Sequence, residues 1–222
     1  MSVRNNESFV SKSIDSVLNQ TYKNFEFLIV DDFSNDNTYK IIKEYEKKDK
    51  RIKVFNNDKN LGLTKSLNNL ISVSKGPIIA RQDGDDISLK QRFLKQVHYF
   101  QSSKYEFSFS RAKALQGDRV MPKYSYYLPS TWVSKYKNPF IHGTLMIRKN
   151  TLKEVGNYNE NFYYAQDYKL FHDLMKSGYK FKNLKQILYH SNTINNISSN
   201  KKDLQSYYAY CVKSNTVPDG RK

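Results

Sequence analysis

Residues 9–100 alternate between short apolar runs and longer segments in which apolar side chains recur at helical spacing, and this alternation most constrains the fold. The apolar runs are strand-sized and cover residues 25–30, 52–55 and 78–80. The segments with helical spacing cover residues 9–19, 38–45, 63–71 and 89–100. Strands and helices that alternate in this way are typical of a parallel sheet covered by helices on both faces. The sequence therefore predicts an α/β fold.

Acidic residues follow two of the predicted strands. Asp31 and Asp32 end the first, and Asp83, Asp85 and Asp86 follow Ile78-Ile79-Ala80. Ligands of such sheets bind at the carboxyl ends of the strands, so we expect both acidic clusters to face one crevice. Three crowded carboxylates favour a hard divalent cation together with a phosphorylated ligand. The alternative is an acidic turn that caps the following helix, with Asp86 or Ser88 as the N-cap.

The length, the cysteine count and the net charge of the chain narrow the class of protein. The 222 residues suffice for one sizeable core, and no apolar run approaches the roughly 18 residues that span a bilayer. The single Cys211 excludes an intramolecular disulfide, and no signal peptide is recognisable, so the sequence predicts a cytoplasmic protein. The formal net charge of +16 favours partners that carry phosphate, including nucleotides and anionic lipids. Nucleic-acid binding is not expected, because the basic residues are scattered.

The second half is less regular. Residues 106–115, 144–148 and 181–188 have the character of strands, and residues 167–177 have that of a helix. Residues 116–140 are rich in Tyr and Pro and include Trp132. This stretch is either surface cover or an aromatic loop that stacks on sugar rings. We divide the chain into residues 1–100, which form a ligand-binding half, residues 101–191, which form the other half of the same domain, and a polar tail at 192–222.

The order of short motifs resembles that of family 2 glycosyltransferases of the GT-A fold. The motifs are Ser16–Glu26, Ile29–Asp36, Asn60–Leu63, Asp83–Asp86, His142–Arg148, Val155–Tyr158 and Ala165–Tyr168. The resemblance covers roughly residues 2–190. It implies a Rossmann-like, mostly parallel sheet flanked by helices, with a smaller acceptor-side region. It also implies an inverting transfer of a sugar from a nucleoside-diphosphate sugar, expected to be UDP-linked, to a glycan or lipid-linked acceptor.

The resemblance assigns roles to individual residues. Asp167 matches the general base, although alone it would be taken for a carboxylate that stabilises a helix N-terminus. Asp85 and Asp86 match the ligands of Mg²⁺ or Mn²⁺. The expected nucleotide-binding residues are Ser2, Arg4, Asn5, Asp32, Lys65, Asp83 and Asp85, and the expected acceptor-side residues are His142, Gln166 and Trp132. Asp32 could instead cap the next helix, and Lys65 could lie on a solvated helix face.

Three departures from the family pattern give a second hypothesis. The first strand is largely missing, since the family's strand begins several residues before Ser2-Val3. Arg4 replaces a frequent Tyr, and Tyr189-His190-Ser191 replaces a frequent Tyr-Arg pattern. The alternative is therefore a catalytically impaired GT-A module that binds a nucleotide sugar or a partner enzyme. Basic residues near the tail also suggest peripheral contact with the inner membrane face.

Overall fold

The computed structural model describes residues 1–194 and 201–220. The first half contains a three-stranded parallel sheet in the order β1-β2-β3. Its elements are β1 (Ser2–Val3), α1 (Val10–Leu18), β2 (Phe27–Asp31), α2 (Thr38–Lys48), β3 (Ile52–Asn56) and α3 (Leu63–Val73). These strands and helices lie where the apolar pattern predicts them.

A second, six-stranded sheet follows, in the order β4-β8-β6-β9-β5, with β7 paired to β6. Its strands are β4 (Ile78–Ala80), β5 (Ile87–Ser88), β6 (Phe107–Ala114), β7 (Val120–Met121), β8 (Met146–Arg148) and β9 (Phe181–Ser191). The helices of this half are α4 (Arg92–Val97), α5 (Ser130–Val133), α6 (Lys149–Glu154), α7 (Gln166–Lys176) and α8 (Lys202–Ser214). Short 3₁₀ helices lie at His98–Phe100, Tyr124–Tyr127 and His142–Thr144.

The predicted fold class is confirmed, but strand direction differs between the sheets. In the second sheet only β6 and β9 pair in parallel, whereas β4 with β8, β5 with β9, and β6 with β7 and β8 are antiparallel. The apolar pattern reports which face of a strand is buried and not the direction of its neighbour. The prediction of a mostly parallel sheet therefore holds for the first sheet and not for the second.

Strand β1 pairs in parallel with β2 at Val30 and Asp31. The Met1 amine also donates to the Leu28 carbonyl at 2.7 Å. A cavity of about 600 Å³ is lined by residues of both β2 and β4, including Phe27 and Ile78. The two sheets are thus joined by packing rather than by a continuous ladder.

Residues 202–214 form helix α8, which the prediction of a polar tail missed. Tyr208, Cys211 and Val212 are buried and join a cluster with Phe162 and Tyr164. The predictions for residues 195–200 and 221–222 fall outside the described residues. None of the helices in the described ranges is long and apolar enough to cross a membrane.

Candidate active site

A cleft of about 910 Å³ opens where β1 and β2 end and where the loop after β4 begins. The described chain brings most of the predicted site residues into its lining. These are Ser2, Arg4, Asn5, Asp32, Asp83, Asp85, Asp86, His142, Gln166 and Asp167. Gly84 makes this convergence possible, since a Cβ there would lie 2.5 Å from Val3 Cγ1 and 2.6 Å from Asn6 Nδ2. The loop after β1 therefore packs directly against the acidic loop.

Asp32 is buried at the carboxyl end of the parallel sheet and holds a neighbouring loop. Its Oδ1 accepts hydrogen bonds from Asn57 Nδ2 and from the Leu61 backbone N–H, both at 2.8 Å. Its Oδ2 accepts one from the Gly62 N–H at 2.8 Å. The capping alternative is not what the structure shows, because the N–H of Thr38 at the start of α2 donates to Asp36. Each carboxylate oxygen has two lone pairs, so Oδ2 of Asp32 can accept one further hydrogen bond.

Asp83 lies beside a buried arginine. Its Oδ1 is paired with Arg81 Nη2, and the Arg81 side chain is only 4% exposed. Burial alone would raise the pKa of Asp83, but the Arg81 guanidinium outweighs burial and holds the pKa below its usual range. Arg81 Nε also donates to His142 Nε2 at 3.2 Å. Burial and the nearby Arg81 charge lower the pKa of His142 to about 3, so this imidazole is neutral.

Asp85 and Asp86 form the second part of the acidic loop. Asp86 is 5% exposed, and its Oδ1 accepts the Asn192 N–H at 2.7 Å. Burial, together with the charges of Asp83 and Asp85, raises the pKa of Asp86 to about 8. Burial and the Asp83 charge also raise the pKa of Asp85. Ionising both acids therefore costs free energy, and a bound cation would offset that cost.

Asp167 lies on another wall, at the first turn of α7. Its Oδ2 accepts a hydrogen bond from Asn138 Nδ2 at 2.6 Å, and its Oδ1 accepts the Tyr168 N–H at 2.8 Å. Burial raises the pKa of Asp167 to about 6. A carboxylate with a pKa near neutrality can accept a proton from a substrate far better than an ordinary aspartate.

A fully buried arginine supports the floor of the site. Arg92 Nη1 donates to the Gly143 carbonyl at 2.8 Å and to Ser88 Oγ at 3.0 Å. Its guanidinium lies 5.0 Å from the centre of the Tyr189 ring, and burial lowers the pKa of Arg92 to about 10. A Cβ at Gly143 would lie 2.6 Å from Tyr189 Cζ. The Tyr189 hydroxyl in turn accepts the Asp83 N–H at 3.1 Å, so this packing fixes the start of the acidic loop.

Two predicted residues are not among those that line the cleft. Lys65 projects from α3 with its side chain 55% exposed, and its Nζ lies 3.9 Å from Glu160. Trp132 lies on α5, is 51% exposed, and packs against Tyr136, which does line the cleft.

Helix α8 provides a further wall that was not predicted from the sequence. Lys202, Gln205, Ser206 and Ala209 line the cleft, and their spacing places them on one face of the helix. The buried residues Tyr208, Cys211 and Val212 recur at helical spacing on another face and are the signal that would have predicted the helix. Asn138 and Asn192 were also missed, because single amides in loops carry no pattern.

The residues present fit a divalent cation that is held in part by substrate. Among the described residues no group of three or more His, Cys, Asp and Glu side chains is arranged to hold a metal ion. Mg²⁺ commonly takes only one or two carboxylates and completes its ligands with phosphate oxygens and water. Asp85 and Asp86 supply that smaller set of hard oxygen donors, whereas Asp83 is engaged by Arg81.

Comparisons with known proteins agree with this site. The family model described as Glycosyl transferase family 2 matches residues 1–171. The O-antigen biosynthesis glycosyltransferase WbnJ of Escherichia coli is 30% identical over 94% of this chain and 83% of its own length. Another E. coli relative, WfgD, is named UDP-Glc:alpha-D-GlcNAc-diphosphoundecaprenol beta-1,3-glucosyltransferase. It is 29% identical over 78% of this chain and 67% of its own length.

Solved structures show the same fold. S. aureus TarS 1-349 in complex with UDP has a TM-score of 0.74 at 17% identity, over 99% of this chain and 65% of that one. The mannosyltransferase PcManGT from Pyrobaculum calidifontis, in complex with GDP-Man and Mn²⁺, has a TM-score of 0.77 at 14% identity, over 99% of this chain and 63% of that one. This chain thus spans about two thirds of the solved chains. The GT-A fold and the predicted enzyme class are confirmed, and the chain belongs to glycosyl transferase family 2.

Proposed function

We propose that the protein is an inverting glycosyltransferase that moves a sugar from a UDP-linked donor to a hydroxyl of a glycan or lipid-linked acceptor. One observation carries the proposal: the acidic loop and the separate acid Asp167 line the same cleft. Transfer needs one group that stabilises the leaving diphosphate and another that removes a proton from the acceptor. The two acidic regions supply these functions from different walls.

Asp167 is the proposed general base. The acceptor oxygen attacks the anomeric carbon, the bond from that carbon to the diphosphate oxygen breaks, and the acceptor proton passes to Asp167. A single displacement of this kind inverts the anomeric centre. The pKa of about 6 leaves Asp167 ionised at pH 7 while keeping it basic enough to take the proton. Asn138 orients the carboxylate through its 2.6 Å hydrogen bond.

The donor is proposed to bind in the cleft that β1, Asp32 and the acidic loop line together. Asp32, Ser2, Arg4 and Asn5 surround the place for the nucleoside, and Asp83 and Asp85 lie where the diphosphate would approach. Mg²⁺ or Mn²⁺ held by Asp85 and Asp86 would neutralise charge on the leaving diphosphate. UDP as the nucleotide is supported by the UDP complex of TarS and by the name of WfgD. Lys65 is left out of the donor site because its side chain pairs outside the cleft.

The acceptor is proposed to approach from the side of Gln166 and His142. A diphosphate-linked lipid acceptor is supported by the name of WfgD. The site is thus assigned to polysaccharide biosynthesis at the inner face of the cytoplasmic membrane.

The deciding experiment separates chemistry from binding. Nucleotide sugars are screened for transfer and hydrolysis with Mn²⁺, and UDP binding is measured by calorimetry. Asp167→Asn should lower kcat by at least about 100-fold, the scale of a lost general base, with UDP affinity unchanged. Asp173→Asn on the same helix is the matched control and should retain activity.

Asp85→Ala should lower the affinity for UDP, and Mn²⁺ should increase that affinity less than it does in the wild type. Full activity in both Asp85→Ala and Asp167→Asn would exclude these assignments. Tight UDP binding without transfer or hydrolysis of any donor would instead favour the impaired binding module.

A further inference from the structure

An exposed aromatic face lies beside the cleft and takes no part in the proposed chemistry. We define this aromatic face as Tyr124, Tyr127, Leu128, Trp132 and Tyr136. Their exposed fractions are 74%, 74%, 46%, 51% and 62%. Single exposed apolar residues are ordinary, but these five lie within thirteen positions, on or next to two short helices that contact each other, and clusters of exposed apolar residues mark interaction surfaces.

Local geometry holds these side chains outward together. Tyr124 and Tyr127 are three residues apart in a 3₁₀ helix, which has three residues per turn, so they project from the same side. Tyr126 between them is turned inward, with the Arg111 guanidinium 4.9 Å from its ring centre. Trp132 and Tyr136 pack on each other with ring centroids 5.1 Å apart. The aromatic face is therefore presented by ordered backbone.

The segment that carries the aromatic face has charged side chains of one sign only. Lys123, Lys135 and Lys137 flank it, and no Asp or Glu occurs from Arg119 to Lys153. Tyr and Trp side chains with neighbouring lysines are enriched where proteins meet the headgroup region of a bilayer. A surface built mainly to bind neutral sugars would gain little from this excess of cations. The combination fits an anionic lipid surface.

The face also adjoins the acceptor side of the cleft. Tyr136 and Lys137 line the cleft itself, and the next residue, Asn138, bonds Asp167. We propose that the aromatic face docks the protein on an anionic lipid bilayer, so that a lipid-linked acceptor reaches Asp167 from the membrane surface. The choice of acceptor rests on the proposed function, whereas docking itself needs neither donor nor catalysis.

Trp132 is the only tryptophan of the chain, so its fluorescence reports directly on the aromatic face. The full chain is titrated with vesicles of phosphatidylglycerol and phosphatidylcholine and with vesicles of phosphatidylcholine alone. Docking predicts a blue shift of Trp132 emission and quenching by brominated lipid, only with the anionic vesicles. An unchanged spectrum with anionic vesicles would overturn the proposal.

Charge-matched variants test the location of the docking surface. Lys123→Gln with Lys135→Gln should weaken vesicle binding on the order of 30-fold, from about fivefold for each lysine near an anionic surface. Lys47→Gln with Lys50→Gln removes the same charge from exposed sites elsewhere and should have a much smaller effect. Equal losses in the two pairs would mean diffuse attraction and would refute the aromatic face.

Apolar contact is tested separately. Tyr124→Ser with Tyr127→Ser should weaken vesicle binding at least tenfold, and Tyr210→Ser on α8, which is 62% exposed, should not. Trp132 emission that responds to soluble oligosaccharide and not to vesicles would identify a glycan surface instead. Asp167→Asn should bind vesicles like the wild type, so failure of the proposed chemistry and failure of docking are distinguishable.

Discussion

Asn138 offers the sharpest test of the proposed base. Its side-chain N–H donates to the Asp167 carboxylate at 2.6 Å and therefore favours the ionised form. A hydrogen bond to a charged group contributes about 1.5–3 kcal/mol, and one pKa unit corresponds to about 1.4 kcal/mol. Asn138→Ala should thus raise the pKa of Asp167 by about one to two units, from about 6 to about 7–8.

The consequence is a rate that depends on pH in a defined way. At pH 7 the ionised fraction of Asp167 should fall from about 90% to between about 50% and 10%, so the rate falls about twofold to tenfold. Near pH 9 Asp167 should be largely ionised in both the wild type and the variant, so most of the difference in rate should disappear.

The assay is kcat/KM for the acceptor between pH 5 and pH 9, at saturating donor and Mn²⁺. Asn69→Ala, at an exposed position of α3, is the matched control and should leave the acid limb of the profile near pH 6. An acid limb that does not move in Asn138→Ala would refute Asp167 as the titrating base. A loss of rate that persists equally at pH 9 would show that Asn138 acts on geometry rather than on the pKa.

Three further changes test the packing and electrostatics of the site. Asp167→Asn should stabilise the protein, because burial holds the pKa of Asp167 in the folded state near 6, above the ordinary value of 3.8. Chemical denaturation should show that the free energy of unfolding rises by up to about 3 kcal/mol at pH 8. The rise should be about half of that at pH 5 and should vanish below about pH 3.8. Gly143→Ala should lower the free energy of unfolding by about 1–3 kcal/mol, because the new methyl group collides with a buried tyrosine. Gly76→Ala is the control and should lower it far less, because its Cβ would meet only ordinary contacts. Tyr208→Ala should lower the free energy of unfolding by about 3–5 kcal/mol and raise KM for both substrates, because it loosens the α8 wall. Tyr210→Ala changes an exposed residue of the same helix and should leave the thermal midpoint and KM nearly unchanged.

Much of the fold was predictable because its signals are local. Helices α1 and α3 and strands β2 and β3 appear within two residues of their predicted positions, and α2 ends three residues later than predicted, since each carries its own apolar periodicity. Strand direction was not predictable in the second half. The partner of β4 is β8, about seventy residues later, and no local pattern encodes that antiparallel pairing.

The acids of the site were predictable for a different reason. The carboxyl ends of strands meet at one edge of a sheet, so Asp32 and the acidic loop were expected to converge, and the motif order added Asp167. The structure brings them together in one cleft. Helix α8 was missed because only three of its residues are buried, and two of these are a tyrosine and a cysteine, which also occur in polar tails.

Five carboxylates can line one cleft because the fold treats them differently. Asp83 is neutralised by Arg81, and Asp32 is held by three hydrogen-bond donors, so neither needs an external cation. Asp86 also accepts a hydrogen bond from the Asn192 N–H, yet the pKa values of Asp85 and Asp86 remain raised, so ionising both acids costs free energy. Binding of a divalent cation with the donor diphosphate would remove that cost and release protons. Asp167 lies on another wall, and its own pKa rises mainly through burial. The cleft can therefore concentrate a cation at one end while keeping a usable base at the other, which is the division of labour that sugar transfer requires.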